Sequence, residues 1–328
     1  MQILSGPPPI FSAWRRSGAG PDGDGPDARA LASLRIGIAA VLLLQAYAGG
    51  RDLLNFVGSR GIVQRPISDF MVHSSLLRLQ WLYGPAARLG ISDTHLIFSC
   101  LGLHMLALAL LLVGWRSRLT AAVAWLSYLT LKASGPAAAY GAYEFGNIAL
   151  FYCFVMPVGL SLSVDAQSVD RSRRWAPYLV GCRSVLRAHL CIVYLSSGIA
   201  KASGSQWWNG EAIWRALMRP SLSLADFSWL AWVPALPTAI GWSVLALELS
   251  YAFLAWFPRA RPFLLAAILA MHAGIAVVLG LWFFSGLLIV LNWAALAASS
   301  PTRTTSYKML FNRQEGADSG LPLPVGLP

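Results

Sequence analysis

A chain of 328 residues that is 56% hydrophobic and 12% charged, with a mean hydropathy of +0.57, carries too few polar residues to cover a water-soluble globule of its size. Its net charge of +11 does not point to nucleic acid, because the basic residues stand in ones and twos at the ends of apolar stretches rather than in one run. The four cysteines, Cys100, Cys153, Cys182 and Cys191, form no CxxC pair and three fall inside apolar stretches, so neither a structural disulfide nor a metal site is expected.

Residues 1–29 read as a Pro/Gly/Asp-rich polar leader with Arg15 and Arg16, and without an apolar core they predict no cleavable signal peptide. The first membrane span is expected over 30–48, with Arg35 one turn inside it. Residues 50–94 are too polar to cross a bilayer, and the Leu/Trp/Tyr content of 66–83 predicts amphipathic helices at the interface. Spans follow over 95–115 and, after the Arg116-Ser117-Arg118 turn, to about residue 131, where Lys132, Gly135 and Pro136 break the helix. A loop with Tyr140, Tyr143 and Glu144 leads to a fourth span over 145–162, and a basic loop reaches to about residue 182.

The fifth span, 184–201, ends at Lys201 and is followed by a Trp-rich segment, 207–218, expected to lie flat at the interface. Pro220, Pro234 and Pro237 bound an irregular connector before spans over 238–257, 262–281 and 283–298, and residues 299–328 form a polar, then Pro/Leu-rich tail. The fold class is therefore all-α, a polytopic membrane bundle of about eight transmembrane helices plus interfacial helices. With the N-terminus inside, Arg15, Arg16, Arg29, Arg35, Arg116, Arg118, Arg171, Arg173, Arg174, Arg183, Arg187, Arg259, Arg261, Arg303, Lys308 and Arg313 all fall on the cytoplasmic side. They are sixteen of twenty-five basic residues, so both termini are expected there.

Ionisable residues within such spans mark function by default. Lys201 is the foremost: a partly buried lysine gives up its proton more readily than a solvated one and can act as base or nucleophile, although a snorkelling lysine would look the same in sequence. Near it on the outer side the sequence places Lys132, Tyr143, Glu144 and Asn147, with Trp207 and Trp208 just beyond. Deeper lie His104, Glu248 and His272, and equal depth on neighbouring antiparallel helices predicts that Glu248 and His272 face each other. No GxSxG, HExxH, Walker or Rossmann motif is present.

Several stretches together resemble a known family. They are L-A-S-L-R-I-G around Arg35, Gly61-Ile62-Val63, M-P-V-G-L-S-L-S-V-D at 156–165, Y-x-x-x-G-x-x-K at 194–201, W-x-x-G at 207–210 and H-x-G-I-A at 272–276. Over most of residues 30–298 the chain resembles the HTTM family, the membrane domain shared with vitamin K-dependent gamma-carboxylase. Its size is similar to that of small bacterial members of the sporulation-delaying protein B type. The resemblance implies an inner-membrane protein concerned with maturing a secreted peptide or a lipid-soluble substrate, with Lys201 at the position of the carboxylase base. It also implies a quinone or other isoprenoid lipid as the cofactor to test, and a secreted peptide or small partner protein. The chain reads Phe145-Gly146-Asn147 where the carboxylase has a histidine motif, and it lacks the propeptide-binding domain, so carboxylation itself is not implied. A non-enzymatic role in binding, assembly or immunity is the alternative.

Overall fold

The computed structural model describes residues 25–59, 61–62, 70, 77–136, 140–166, 171–219 and 225–297, with backbone alone at 171–174 and 176. Among these residues the fold is all-helical. The elements are α1 (Pro26–Gly49), α2 (Leu53–Val57), α3 (Gln80–Arg88), α4 (Asp93–Val113), α5 (Ser117–Ser134), α6 (Gly141–Val155), α7 (Arg171–Ala202), α8 (Ser205–Trp208), α9 (Glu211–Leu217), α10 (Ala235–Leu254), α11 (Arg261–Leu279) and α12 (Trp282–Leu296). A short 3-10 turn, Ser228–Trp232, precedes α10, and Asp226 opens it by accepting the Ser228 N–H at 2.8 Å, which holds its carboxyl below the ordinary value.

Eight of these helices stand where the eight spans are expected. Five of them, α1, α4, α10, α11 and the 177–202 portion of α7, are long and apolar enough to cross a bilayer. The other three are α5, α6 and α12. At 15 residues α6 and α12 are each about 22 Å long, shorter than a hydrocarbon core. They are tolerated because they are inside: α12 packs against α1, α6, α7 and α11, and more than half its residues are buried. In α5 the hydroxyls of Ser127, Thr130 and Ser134 bond back to carbonyls one turn earlier, so its polar residues need no water.

Boundaries differ from the sequence reading at two instructive places. The fourth helix ends at Val155, not at residue 162, because Pro157 forces Met156 into an extended conformation (φ −86°, ψ 152°). The fifth begins at Arg171 rather than near 184, and carries Pro177 within it. The leader up to residue 24, residues 63–69 and 71–76 of the expected interfacial region, and the tail lie outside the described residues.

One end of the bundle is organised by arginines. Arg35, fully buried on α1, donates to the carbonyls of Leu111 (2.7 Å) and Leu112 (2.6 Å) at the end of α4, and to Val158 and Leu162 in the loop after α6. Arg183 bonds Asp27 at the start of α1 and the Ala294 carbonyl at the end of α12, while Arg187 bonds the Ala295 carbonyl at 3.0 Å. Arg261 reaches the Ala255 carbonyl just past α10 at 3.0 Å. The last carbonyls of a helix have no intrahelical partner, and in a lipid setting a guanidinium with five donors satisfies them. The same loop closes the next helix: Asp165 accepts the N–H groups of Arg116 (2.8 Å) and Ser117 (2.7 Å) at the start of α5. Since Arg183 touches both Asp27 and the end of α12, the start of α1 and the end of the bundle lie at this same pole.

Candidate functional site

The opposite half of the molecule holds Lys201. Tyr194, Gly198 and Lys201 are spaced i, i+4, i+7 and so line one stripe of α7. Gly198 lets α10 come close: a Cβ there would stand 2.9 Å from Leu249 Cδ2 and 3.3 Å from Glu248 Cβ. Through that close approach the Lys201 ammonium meets the Glu248 carboxylate at 2.6 and 2.7 Å, and it also donates to Ser197 Oγ at 2.7 Å. Three acceptors use all three ammonium protons. The Trp207 ring lies 5.2 Å from the same nitrogen and supplies a cation–π face. Exposure divides the pair, because the Glu248 side chain is 6% accessible and the Lys201 side chain 23%.

This arrangement corrects the expected partnership of Glu248. Counting residues from helix ends matches Glu248 with His272, but the carboxylate takes Lys201 instead, and His272 Nε2 sits 2.8 Å from the Tyr194 hydroxyl. Lys201 also lies deeper than the sequence suggested. Glu248 is thirteen residues into α10, about 20 Å along its axis, so α7 stops well short of the end of its neighbour. The Trp-rich segment fills the step: α8 and α9 pack on the first turns of α10, where Gly241 faces the Trp207 carbonyl and the Trp242 indole N–H donates to the Trp208 carbonyl at 2.9 Å. Trp208 in turn donates to the Ala202 carbonyl at 2.7 Å, holding the break after Lys201 closed.

From His272 a buried chain of polar groups runs inward. The Tyr194 hydroxyl accepts from Asn292 Nδ2 at 2.8 Å, and the Tyr251 hydroxyl donates to Asn292 Oδ1 at 2.8 Å. The rings of Tyr194 and Tyr251 lie 4.3 Å apart. His272 Nδ1 is buried and has no partner among the described residues. The sequence reading missed Asn292, Tyr251 and Ser197. Asn292 could have been found, since it is the only amide in the apolar run L-L-I-V-L-N-W-A-A-L of α12.

The remaining predicted residues form a second group on α5 and α6. Lys132 and Glu144 pair at 2.5 Å, with the glutamate 61% accessible. Asn147 accepts from the Trp125 indole N–H at 2.6 Å, and Tyr143 stacks on Tyr128 with centroids 5.8 Å apart. None of these touches Lys201; the link between the groups is Phe284 of α12, whose ring lies 5.8 Å from Phe145 and 6.0 Å from His272. His104 is buried against Ser127 at 2.9 Å on α5.

Chemically, the Lys201 site is a charged pair with one buried and one accessible member. In a low-dielectric setting such a pair can convert to a neutral amine and a neutral carboxylic acid by moving a single proton, without any charge leaving the site. No family model matches the chain, and no curated protein or solved structure matches it either.

Proposed function

We propose that this multi-pass membrane protein modifies or matures a secreted peptide or lipid-soluble substrate, with Lys201 as the general base. The observation that carries the reading is the division of exposure within the Lys201–Glu248 pair. As an ammonium, Lys201 has no lone pair to offer; passing one proton to Glu248 leaves a neutral amine on the accessible side and a buried neutral acid behind it. Ser197 and the Trp207 face then orient the amine; taking a proton from the substrate makes Lys201 an ammonium again beside the still-protonated Glu248, and the charged pair is restored when Glu248 gives up that proton to the product or to solvent. The likeness of the Tyr194–Lys201 motif to the HTTM family supports the same residue in the same role. In this reading the arginine pole is cytoplasmic, the protein lies in the bacterial inner membrane, and an isoprenoid lipid such as a quinone is the cofactor to look for.

Lys201→Arg tests it. Arginine keeps the positive charge and the bond to Glu248 but cannot yield a proton at a usable pH. Cells making the wild-type protein, the variant or no protein are compared by mass spectrometry of secreted peptides and membrane lipids. A product present with wild type and lost with Lys201→Arg, at equal protein level, is the expected result. If Lys201→Arg cells match wild type while the protein-free cells lose the product, Lys201 is only a structural charge, and the binding or assembly reading takes its place.

A further inference from the structure

Away from Lys201, a cavity of about 200 Å³ opens between the end of α1, α2, α4, α5 and α6. Its wall is aromatic on one side: His104 stacks on Tyr128 with centroids 5.5 Å apart, and Tyr128 stacks on Tyr143 with the rings 18° from parallel. Leucines from α1, α4 and α5 line much of the rest, and Asp52 is the one carboxylate among the lining residues. One polar group there is unaccounted for. Gln45, 7% exposed, holds the Tyr128 hydroxyl through Oε1 at 3.2 Å, but its Nε2 is buried with no partner among the described residues. A buried amide nitrogen without an acceptor is costly, and Gln45 is itself a lining residue. His104 is a lining residue too, and Ser127 engages its Nδ1 at 2.9 Å.

We infer that this cavity is a binding site for a small, uncharged, flat and largely apolar molecule bearing a carbonyl-type acceptor, which Gln45 Nε2 recognises while the His104–Tyr128–Tyr143 stack takes its ring. The inference stands apart from the Lys201 reading and shares no residue with it. The fit is chemical: the lining offers aromatic and leucine surface, one free amide donor, and no cation to hold an anionic head.

The full-length protein in mild detergent is photolabelled with benzophenone, whose ketone supplies both acceptor and cross-linking centre, in competition with diphenylmethane, which lacks the acceptor. Saturable labelling of the peptides around Gln45, Leu101 and Tyr128 is expected, with unlabelled ketone competing about tenfold better than diphenylmethane. Gln45→Leu should erase that tenfold preference, and Ala46→Phe, which fills the space without touching the amide, should abolish labelling; thermal melts of both variants establish that they fold. Labelling spread evenly over the outer helix faces, or equal competition by the hydrocarbon, would overturn the assignment and leave the amide to a bound water.

Discussion

Removing one member of the Lys201–Glu248 pair strands the other, and the cost depends on which is left. Glu248→Gln leaves an ammonium that is partly accessible, so thermal unfolding in detergent should show a loss of up to about 3 kcal/mol. Lys201→Met leaves the more deeply buried carboxylate and should cost at least as much, whereas Lys201→Met combined with Glu248→Leu should recover most of the loss. Equal additive losses in the double variant would show that the two residues do not act as a pair. The sequence made Lys201 legible, because a lysine closing an apolar run before a Trp pair is unusual. It did not make its partner legible. Depth can be counted along a helix at 1.5 Å per residue, but which residue meets which depends on helix rotation and on where a helix stops inside its neighbours. Counted from their helix ends Glu248 and His272 come out at the same depth, yet Gly198 turns the Lys201 stripe of α7 toward Glu248, and His272 falls to Tyr194.

At the scale of the element, the arginine pole makes opposite predictions for two glycines of one helix region. Gly114 closes α4 in the left-handed conformation (φ 75°), and a Cβ there would meet Ser163 Cβ at 2.3 Å and Arg35 Nη1 at 2.7 Å. Gly114→Ala should therefore destabilise by roughly 2 kcal/mol or more, since it adds left-handed strain to a displaced Arg35. Gly102, inside the same helix, has nothing within 4 Å of its Cβ position, and Gly102→Ala should stabilise by about 0.5 kcal/mol. Paired thermal melts decide the matter, and a harmless Gly114→Ala would mean that Arg35 does not hold the end of α4. In sequence, Arg35, Arg183 and Arg187 read as orientation charges on the cytoplasmic side. All three are buried and cap helix ends, a role that no count of basic residues reveals because their acceptors are backbone carbonyls more than seventy residues away. The early end of α6 was legible in principle from Pro157, and the motif at 156–165 has a local physical meaning: two carbonyls for Arg35 and Asp165 for the start of α5.

For the whole molecule, the all-helical bundle followed directly from the length of the apolar stretches, and the structure adds why three of the eight helices can be short or polar. They lie among the others, so the lipid-facing requirement falls on the longer helices. The layer of α8 and α9 packs over the step in α10 beyond Lys201, whose side chain stays 23% accessible. The chain has three lysines, and two of them form an internal comparison: Lys132 and Lys201 are almost equally accessible, at 21% and 23%, and each is paired with a glutamate. They differ in the partner, 61% accessible for Glu144 and 6% for Glu248. Acylation of the intact protein by a neutral anhydride at neutral pH, followed residue by residue with mass spectrometry, reads how often each nitrogen is a free amine. If Glu248 takes the proton from Lys201, Lys201 is acylated faster than Lys132; if Lys132 reacts while Lys201 stays unmodified, Lys201 is a locked ammonium and cannot be the base.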